Sequence, residues 1–363
     1  MNVLLLGGTG AMGVPLSVIL SSSGHNVSIT TRNSDVVLNS IHSHDSSHIK
    51  YIYGDAMDID FLVECLSRNC YDAIVDFMNC STELFKERIQ IILKSTGHYY
   101  FISSARIYAN ESPLNERSHR ILDVCKDEEY LKTDEYALAK ARQEDILYSL
   151  KHKSWTIIRP YITYSDERLQ LGFYEKERWI HRAILGGRIP FSKTILNKTT
   201  TMTNANDVAQ VLSTIITNSL LQGDVINPVT DESMSWKQVF NIYADVISDQ
   251  FGKRPGLVEV DESVFLKRYE PSKYQITVDR VYDRKFKNNK LKEILPGFKF
   301  TSLKDGLYTA ITSYKNKGCP LKHHSWREEA WMDRLTMSGI HIKSIPTLRK
   351  KCAYLHEYYF VKQ

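Results

Sequence analysis

The chain has 363 residues, a formal net charge of +5, 42% hydrophobic and 25% charged residues. That is the make-up of a soluble globular protein with a large core, and it excludes disordered, collagen-like and membrane-embedded classes. The basic residues are scattered except near the C-terminus (Arg349-Lys350-Lys351), so no nucleic-acid footprint is read from them.

The first 100 residues alternate between short apolar runs and helical patterns. Val3–Leu6 reads as a strand and stops at glycines, too short for a signal peptide or membrane span. Val14–Leu20 reads as a helix, and Gly24-His25 turns the chain into the β-rich run Asn26–Thr31. Ile49–Tyr53 and Ala73–Met78 are further strands, Leu84–Leu93 is a helix, and Tyr99–Ile102 is another apolar run. Strands alternating with helices predict βαβ units and a buried parallel sheet. Glu135–Leu147 is strongly helical, and Trp155–Ile158 is a strand closed by Arg159-Pro160. The expected fold is therefore α/β, a Rossmann doubly wound parallel sheet over residues 1–164. A smaller α/β substrate lobe interwoven with the sheet is expected over 165–315, including a helix at Asp207–Ile216 capped by Asn204 or Asn206. A helical appendage rich in aromatic and basic residues is expected over 316–363. The 6 cysteines (Cys65, Cys70, Cys80, Cys125, Cys319, Cys352) show neither C-x-x-C nor zinc spacing, which fits a reducing, cytoplasmic setting.

Gly7-Gly8-Thr9-Gly10-Ala11-Met12-Gly13 follows the first strand and opens the first helix. Glycines three apart at that place suit a tight turn, close approach of a pyrophosphate, and helix–strand packing. The pyrophosphate would rest on free N–H groups of the helix start. The second strand ends Thr30-Thr31-Arg32-Asn33-Ser34, with an arginine where a carboxylate would bind the ribose hydroxyls of NAD. Arg32 fits the 2′-phosphate of NADP through bidentate charge-assisted bonds. NADP is thus the expected cofactor, with NAD as the alternative. Asp55, with Ala56 beside it, stands after the third strand where an adenine amino group can bind, or serves as a helix cap.

Tyr136 and Lys140 are four apart in a helical stretch, on one helix face. An ammonium beside a phenol favours the phenolate, which suits proton exchange with a sugar oxygen while hydride moves at carbon. Ser104 ends an apolar strand, Phe101-Ile102-Ser103-Ser104, on the side where open α/β sheets bind ligands. It can donate a hydrogen bond to a substrate oxygen.

Together these residues resemble the extended short-chain dehydrogenase/reductase family, the NAD(P)-dependent nucleotide-sugar epimerases, reductases and dehydratases. The likeness runs from Met1 to about Lys315. It rests on Gly7-x-x-Gly10-x-x-Gly13, Gly54-Asp55-x-x-Asp58, Ser103-Ser104 with Tyr108, Tyr136-x-x-x-Lys140, Arg159-Pro160, Asn206-Asp207-Val208-Ala209, Gly223 to Asn227 and Ser302 to Leu307. By that resemblance Tyr136 is the acid/base, Lys140 holds the nicotinamide ribose and Ser104 orients the substrate. Phe77, Met78 and Asn79 flank the cofactor, and Pro160 and Ile162 line the nicotinamide. Arg178 and Arg182, in the segment Lys176–Arg188, contact the substrate diphosphate. At Ala105 and Arg106, also substrate-facing positions, the family's dehydratases and decarboxylases carry acids, so dehydration and decarboxylation rank low.

The resemblance implies a cytoplasmic NADP(H)-dependent nucleotide-sugar epimerase or keto-sugar reductase, a homodimer, working in polysaccharide biosynthesis without nucleic-acid or membrane partners. The alternative is a non-catalytic cofactor-binding regulator or RNA-binding protein on the same fold. No metal site is expected. His42, His44 and His48 read as a solvated serine-rich loop, and His323-His324 as surface.

Overall fold

The computed structural model describes residues 1–33, 48–320, 324–338 and 342–361. The chain divides into two compact units. The first comprises 1–163, 201–231 and 285–301; the second comprises 164–200, 232–284 and 302–363. Neither is a continuous stretch of chain, and the C-terminal helices belong to the second.

The first unit is built on a parallel sheet. Its strands are β1 (Asn2–Leu6), β2 (Asn26–Thr31), β3 (Ile49–Tyr53), β4 (Tyr71–Asp76), β5 (Thr96–Ile102), β6 (Trp155–Ile158) and an edge strand, Asp224–Ile226. The spatial order is edge strand, β6, β5, β4, β1, β2, β3, and every pairing is parallel. Strand order therefore reverses between β1 and β4, the switch point beside which such sheets bind ligands.

Period-two side-chain alternation places β1 residues on both faces. Val3 and Leu5 point into one core with Leu16, Leu20, Val208, Leu212 and Ile215. Leu4 and Leu6 point into the other with Leu62, Phe85, Ile89 and Leu147. Burial on both faces explains why β1 reads as a continuous apolar run rather than an alternating one. The helices start where the sequence offers acceptors. Asp58 caps Ile59–Ser67, Ser81 caps Thr82–Ile92, and Asn204 caps Ala205–Asn218.

The second unit contains the helices Lys176–Ile184, Trp236–Phe251, Leu303–Asn316, Trp326–Leu335 and Leu348–Phe360. It also contains a parallel pair, Arg188–Ser192 with Gly256–Val260. Ser235 and Gln238 form a capping box at the start of Trp236–Phe251. The last two helices share a small core of Ala330, Ile345 and Tyr354. Among the described residues no helix is long and apolar enough to cross a membrane.

Candidate functional site

The glycine loop joins β1 to the helix Gly13–Ser22. Gly7 has φ +70°, and a Cβ there would lie 2.5 Å from the Met78 sulfur. Its N–H donates to Thr30 Oγ1 at 3.0 Å, tying the loop to β2. A Cβ on Gly13 would lie 2.4 Å from the Gly8 carbonyl oxygen, so loop and helix meet backbone to backbone. Gly10 is different: it is exposed, and a Cβ there meets nothing within 4 Å. Protein packing does not require that glycine; a group lying against the backbone would. Thr9, Ala11 and Met12 are half-buried around it, and the helix has no side-chain cap. An uncapped start beneath an open glycine fits a dinucleotide pyrophosphate.

At the end of β2, Arg32 is exposed and its Nη1 lies 3.3 Å from Asp55 Oδ2. Asp55 Oδ1 accepts from the Met57 N–H, closing a turn, while Asp58 caps the next helix. Asp55 is thus not the helix cap; it braces Arg32. Ala56 is buried beside it.

Lys140 is buried, with its ammonium donating to the carbonyls of Ile102 at 2.9 Å and Met78 at 3.1 Å. Those carbonyls end β5 and follow β4, so the lysine stitches the two strand ends together. The Phe101 ring lies 4.6 Å from the ammonium and adds a cation–π contact. Tyr136, at the first position of the helix Tyr136–Ser149, is half-buried. Ser104 caps the short turn Ala105–Ile107, its Oγ accepting from the Arg106 N–H at 3.2 Å. The Arg106 guanidinium lies 5.2 Å from the Tyr136 ring centroid and pairs with Glu135 at 2.8 Å. Arg106 therefore links the serine turn to the tyrosine helix. Ala105 is completely buried, its N–H on the Pro160 carbonyl, and contributes packing rather than an exposed surface. Pro160 and Ile162 are buried; Phe77 and Met78 are half-buried and Asn79 is exposed.

Glu135 is a residue that sequence reasoning missed. Oε1 accepts from Arg106, and Oε2 from the Tyr130 hydroxyl and the Ala137 N–H. The clue was an acid immediately before a helix start, where it favours the helix dipole. Three donors converge on this carboxylate, which thereby ties Arg106, Tyr130 and the helix start together.

Several residues of the recurring motifs form a buried network behind this site. Glu144 accepts from Ser103 Oγ at 2.6 Å and from Arg159 Nε at 2.9 Å and Nη2 at 2.6 Å. Arg159 Nη1 also donates to the Tyr108 hydroxyl, which donates to Asn227 Oδ1. Burial works against the Arg159 charge, yet Glu144 and Tyr108 hold its pKa well above the ordinary value.

Other expectations change. Arg182 does not reach out to a diphosphate. Nε donates to the Arg188 carbonyl, Nη1 meets Glu329 and Asp333, and Nη2 meets the Thr336 and Ser338 hydroxyls. Four of its five N–H donors close hydrogen bonds, and Nη1 also pairs with Asp333 Oδ1 as an ion, so the guanidinium is engaged within its own unit. Arg178 is exposed, stacked 4.5 Å from the Tyr269 ring centroid. His48 is exposed, while His42, His44 and His323 lie outside the described residues. His324 is not a surface residue: only 8% of its side chain is accessible.

A family model described as the NAD dependent epimerase/dehydratase family matches residues 3–227, more than half of the chain. Among curated proteins, the chloroplast stem-loop binding protein of 41 kDa b of Arabidopsis thaliana is 26% identical over 234 residues. That match covers 62% of this chain and 58% of the relative's length. UDP-glucose 4-epimerase from Bifidobacterium longum, solved with NAD+ and UDP, shares the fold with a TM-score of 0.67 and 15% identity over 88% of this chain and 99% of that one. The dTDP-glucose 4,6-dehydratase of Bacillus anthracis, solved with NAD, does so with a TM-score of 0.66 and 15% identity over 89% and 100%. From Val3 to Asn227, then, the chain belongs to the NAD dependent epimerase/dehydratase family.

Proposed function

We propose that the protein is an NADP(H)-dependent enzyme that epimerises or reduces a nucleotide sugar at one ring carbon. The observation that carries this reading is the assembly at the ends of β4 and β5. Lys140 is anchored on two strand-end carbonyls, one helical turn from Tyr136, and Arg106 bridges that tyrosine to the Ser104 turn. When bound, the nicotinamide supplies hydride donation or acceptance at the sugar carbon. Tyr136 exchanges the proton at the adjoining sugar oxygen. Ser104 donates a hydrogen bond to the same oxygen. Lys140 has given two of its three ammonium protons to carbonyls, which leaves the third for a ribose hydroxyl.

Arg32 supports NADP. It is exposed, and the contact to Asp55 through Nη1 leaves other guanidinium donors for a 2′-phosphate. Elimination of water is disfavoured because the carboxylate beside Tyr136, Glu135, is tied by three donors. Between epimerisation and reduction we favour epimerisation, which regenerates its cofactor and needs no additional acid.

The test is incubation with a panel of nucleotide sugars and NADPH or NADP+, following cofactor absorbance and sugar stereochemistry together. A new epimer without net cofactor turnover is the expected result; stoichiometric NADPH oxidation identifies a reductase. A second reading, an RNA-binding protein on the same fold, draws support from the Arabidopsis relative that binds stem-loops. Tight hairpin binding with no sugar turnover would favour it.

A further inference from the structure

The second unit holds a cluster of ligating side chains that the proposed reaction does not use. His181 lies on the helix Lys176–Ile184, Glu329 on the helix Trp326–Leu335, and His324 just before that helix. Glu329 Oε1 is 3.7 Å from His181 Nδ1 and 3.9 Å from His324 Nε2. One donor atom from each residue falls within 4.8 Å of the other two. The imidazole rings stand 4.6 Å apart at 63°, and the Trp326 ring packs edge-on against both.

Two further observations point to a missing ligand. The His324 side chain is 92% buried (8% accessible), yet neither ring nitrogen makes a well-formed hydrogen bond. The Glu177 backbone lies beside the ring without closing one. The buried Nδ1 of His181 is likewise without a hydrogen-bond partner. Buried polar atoms left this way are rare and carry a desolvation cost unless something satisfies them. The charge also suits a cation. Among the described residues Arg182 is the one guanidinium paired with both Glu329 and Asp333, two carboxylates against one guanidinium. Arg182 Nη1 holds Glu329 Oε2 at 3.1 Å, which orients that carboxylate and leaves Oε1 toward the histidines.

We infer that His181 Nδ1, His324 Nε2 and Glu329 Oε1 form a binding site for a divalent transition-metal cation, zinc above all. Two imidazoles and one carboxylate are a common zinc set with a fourth position open to water. Metal–ligand bonds of about 2.0–2.1 Å in a tetrahedron put donor atoms roughly 3.3 Å apart. The present spacings need only a small inward movement of the three side chains. The metal would fasten the helix Trp326–Leu335 to the helix Lys176–Ile184.

The experiment uses the full chain, stripped with chelator and titrated with ZnCl2 by calorimetry. We expect one zinc per chain, and slower amide exchange across residues 326–335 when it is bound. His324→Gln and His181→Gln should each weaken binding by more than about tenfold, since even residues that only support ligands cost about 10–100-fold. Cobalt in the wild-type protein should show the intense visible bands of a four-coordinate site and lose them to zinc. That readout stands even if a variant fails to fold. Absence of zinc binding overturns the inference. So does undiminished affinity in both histidine variants, or a cobalt spectrum no different from the hydrated ion.

Discussion

Replacing Glu144 by Gln is the sharpest test of how the site is held. Glu144 is fully buried, and its oxygens take three hydrogen bonds, two of them from Arg159, which is 2% accessible. The amide keeps the shape and one acceptor. It removes the charge and turns an N–H donor toward Arg159 Nη2, which donates as well. Removing one partner of a buried ion pair costs about 3–5 kcal/mol, because the other charge stays uncompensated. Replacing both partners, Glu144→Leu with Arg159→Met, should recover most of that loss, since apolar substitutes for a buried pair are often neutral. Tyr108 keeps its bond to Asn227 in the double variant. The readout is native-state hydrogen exchange at β5 and β6, which reports the strands that hold the pair, rather than one global midpoint. A Glu144→Gln loss under about 1 kcal/mol, or strict additivity of the two single changes, would refute this account.

Tyr136→Phe should lower turnover at least about 100-fold with cofactor affinity nearly unchanged, measured by steady-state kinetics and calorimetry; an active variant sinks the acid/base assignment. Arg32→Ala should weaken NADPH much more than NADH, and equal losses in fluorescence titrations would remove the NADP preference. Gly13→Ala should destabilise the first unit by about 1–3 kcal/mol, since the new Cβ meets backbone rather than a movable side chain; an unchanged urea midpoint would contradict that geometry. Burial lowers the pKa of His98 to about 4 from 6.5. The unfolded chain therefore takes up a proton in this window while the folded one does not. Stability is full above pH 6.5 and falls as pH drops toward 4, by at most about 3 kcal/mol. His98→Leu should flatten that slope, and an unaltered slope in urea titrations would exclude His98 as its source.

The sheet was largely legible because its signals are local. Asn26–Thr31, Ile49–Tyr53 and Trp155–Ile158 are β-rich runs bounded by turn residues, and they form strands with those limits. The glycine loop and the Tyr136–Lys140 spacing depend on neighbours in sequence, so they too could be read. What escaped depends on residues far apart in the chain. Nothing near Arg182 announces that Glu329 and Asp333 will engage it, so in the sequence it reads as a diphosphate contact. His324 looked exposed because its burial comes from Trp326 and from His181, on a distant helix. Glu144 reads as an ordinary helix acid until β5 and β6 bring Ser103 and Arg159 onto it.

The strand order has a consequence for the growing chain. A nascent polypeptide that has reached residue 163 owns β1 to β6 but not the strand that pairs with β6. It also lacks the helix Ala205–Asn218 and the residues Leu291, Phe298 and Phe300, which close the core over Val3 and Leu5. Until synthesis passes residue 226 the outer edge of β6 is unpaired, and until it passes residue 300 one sheet face is incompletely covered, the condition under which partly made sheets associate with one another. A fragment ending at residue 163 should therefore behave as an incomplete sheet rather than a separable domain, and fusions or truncations of this protein should be cut only after the sheet has recovered its last pieces.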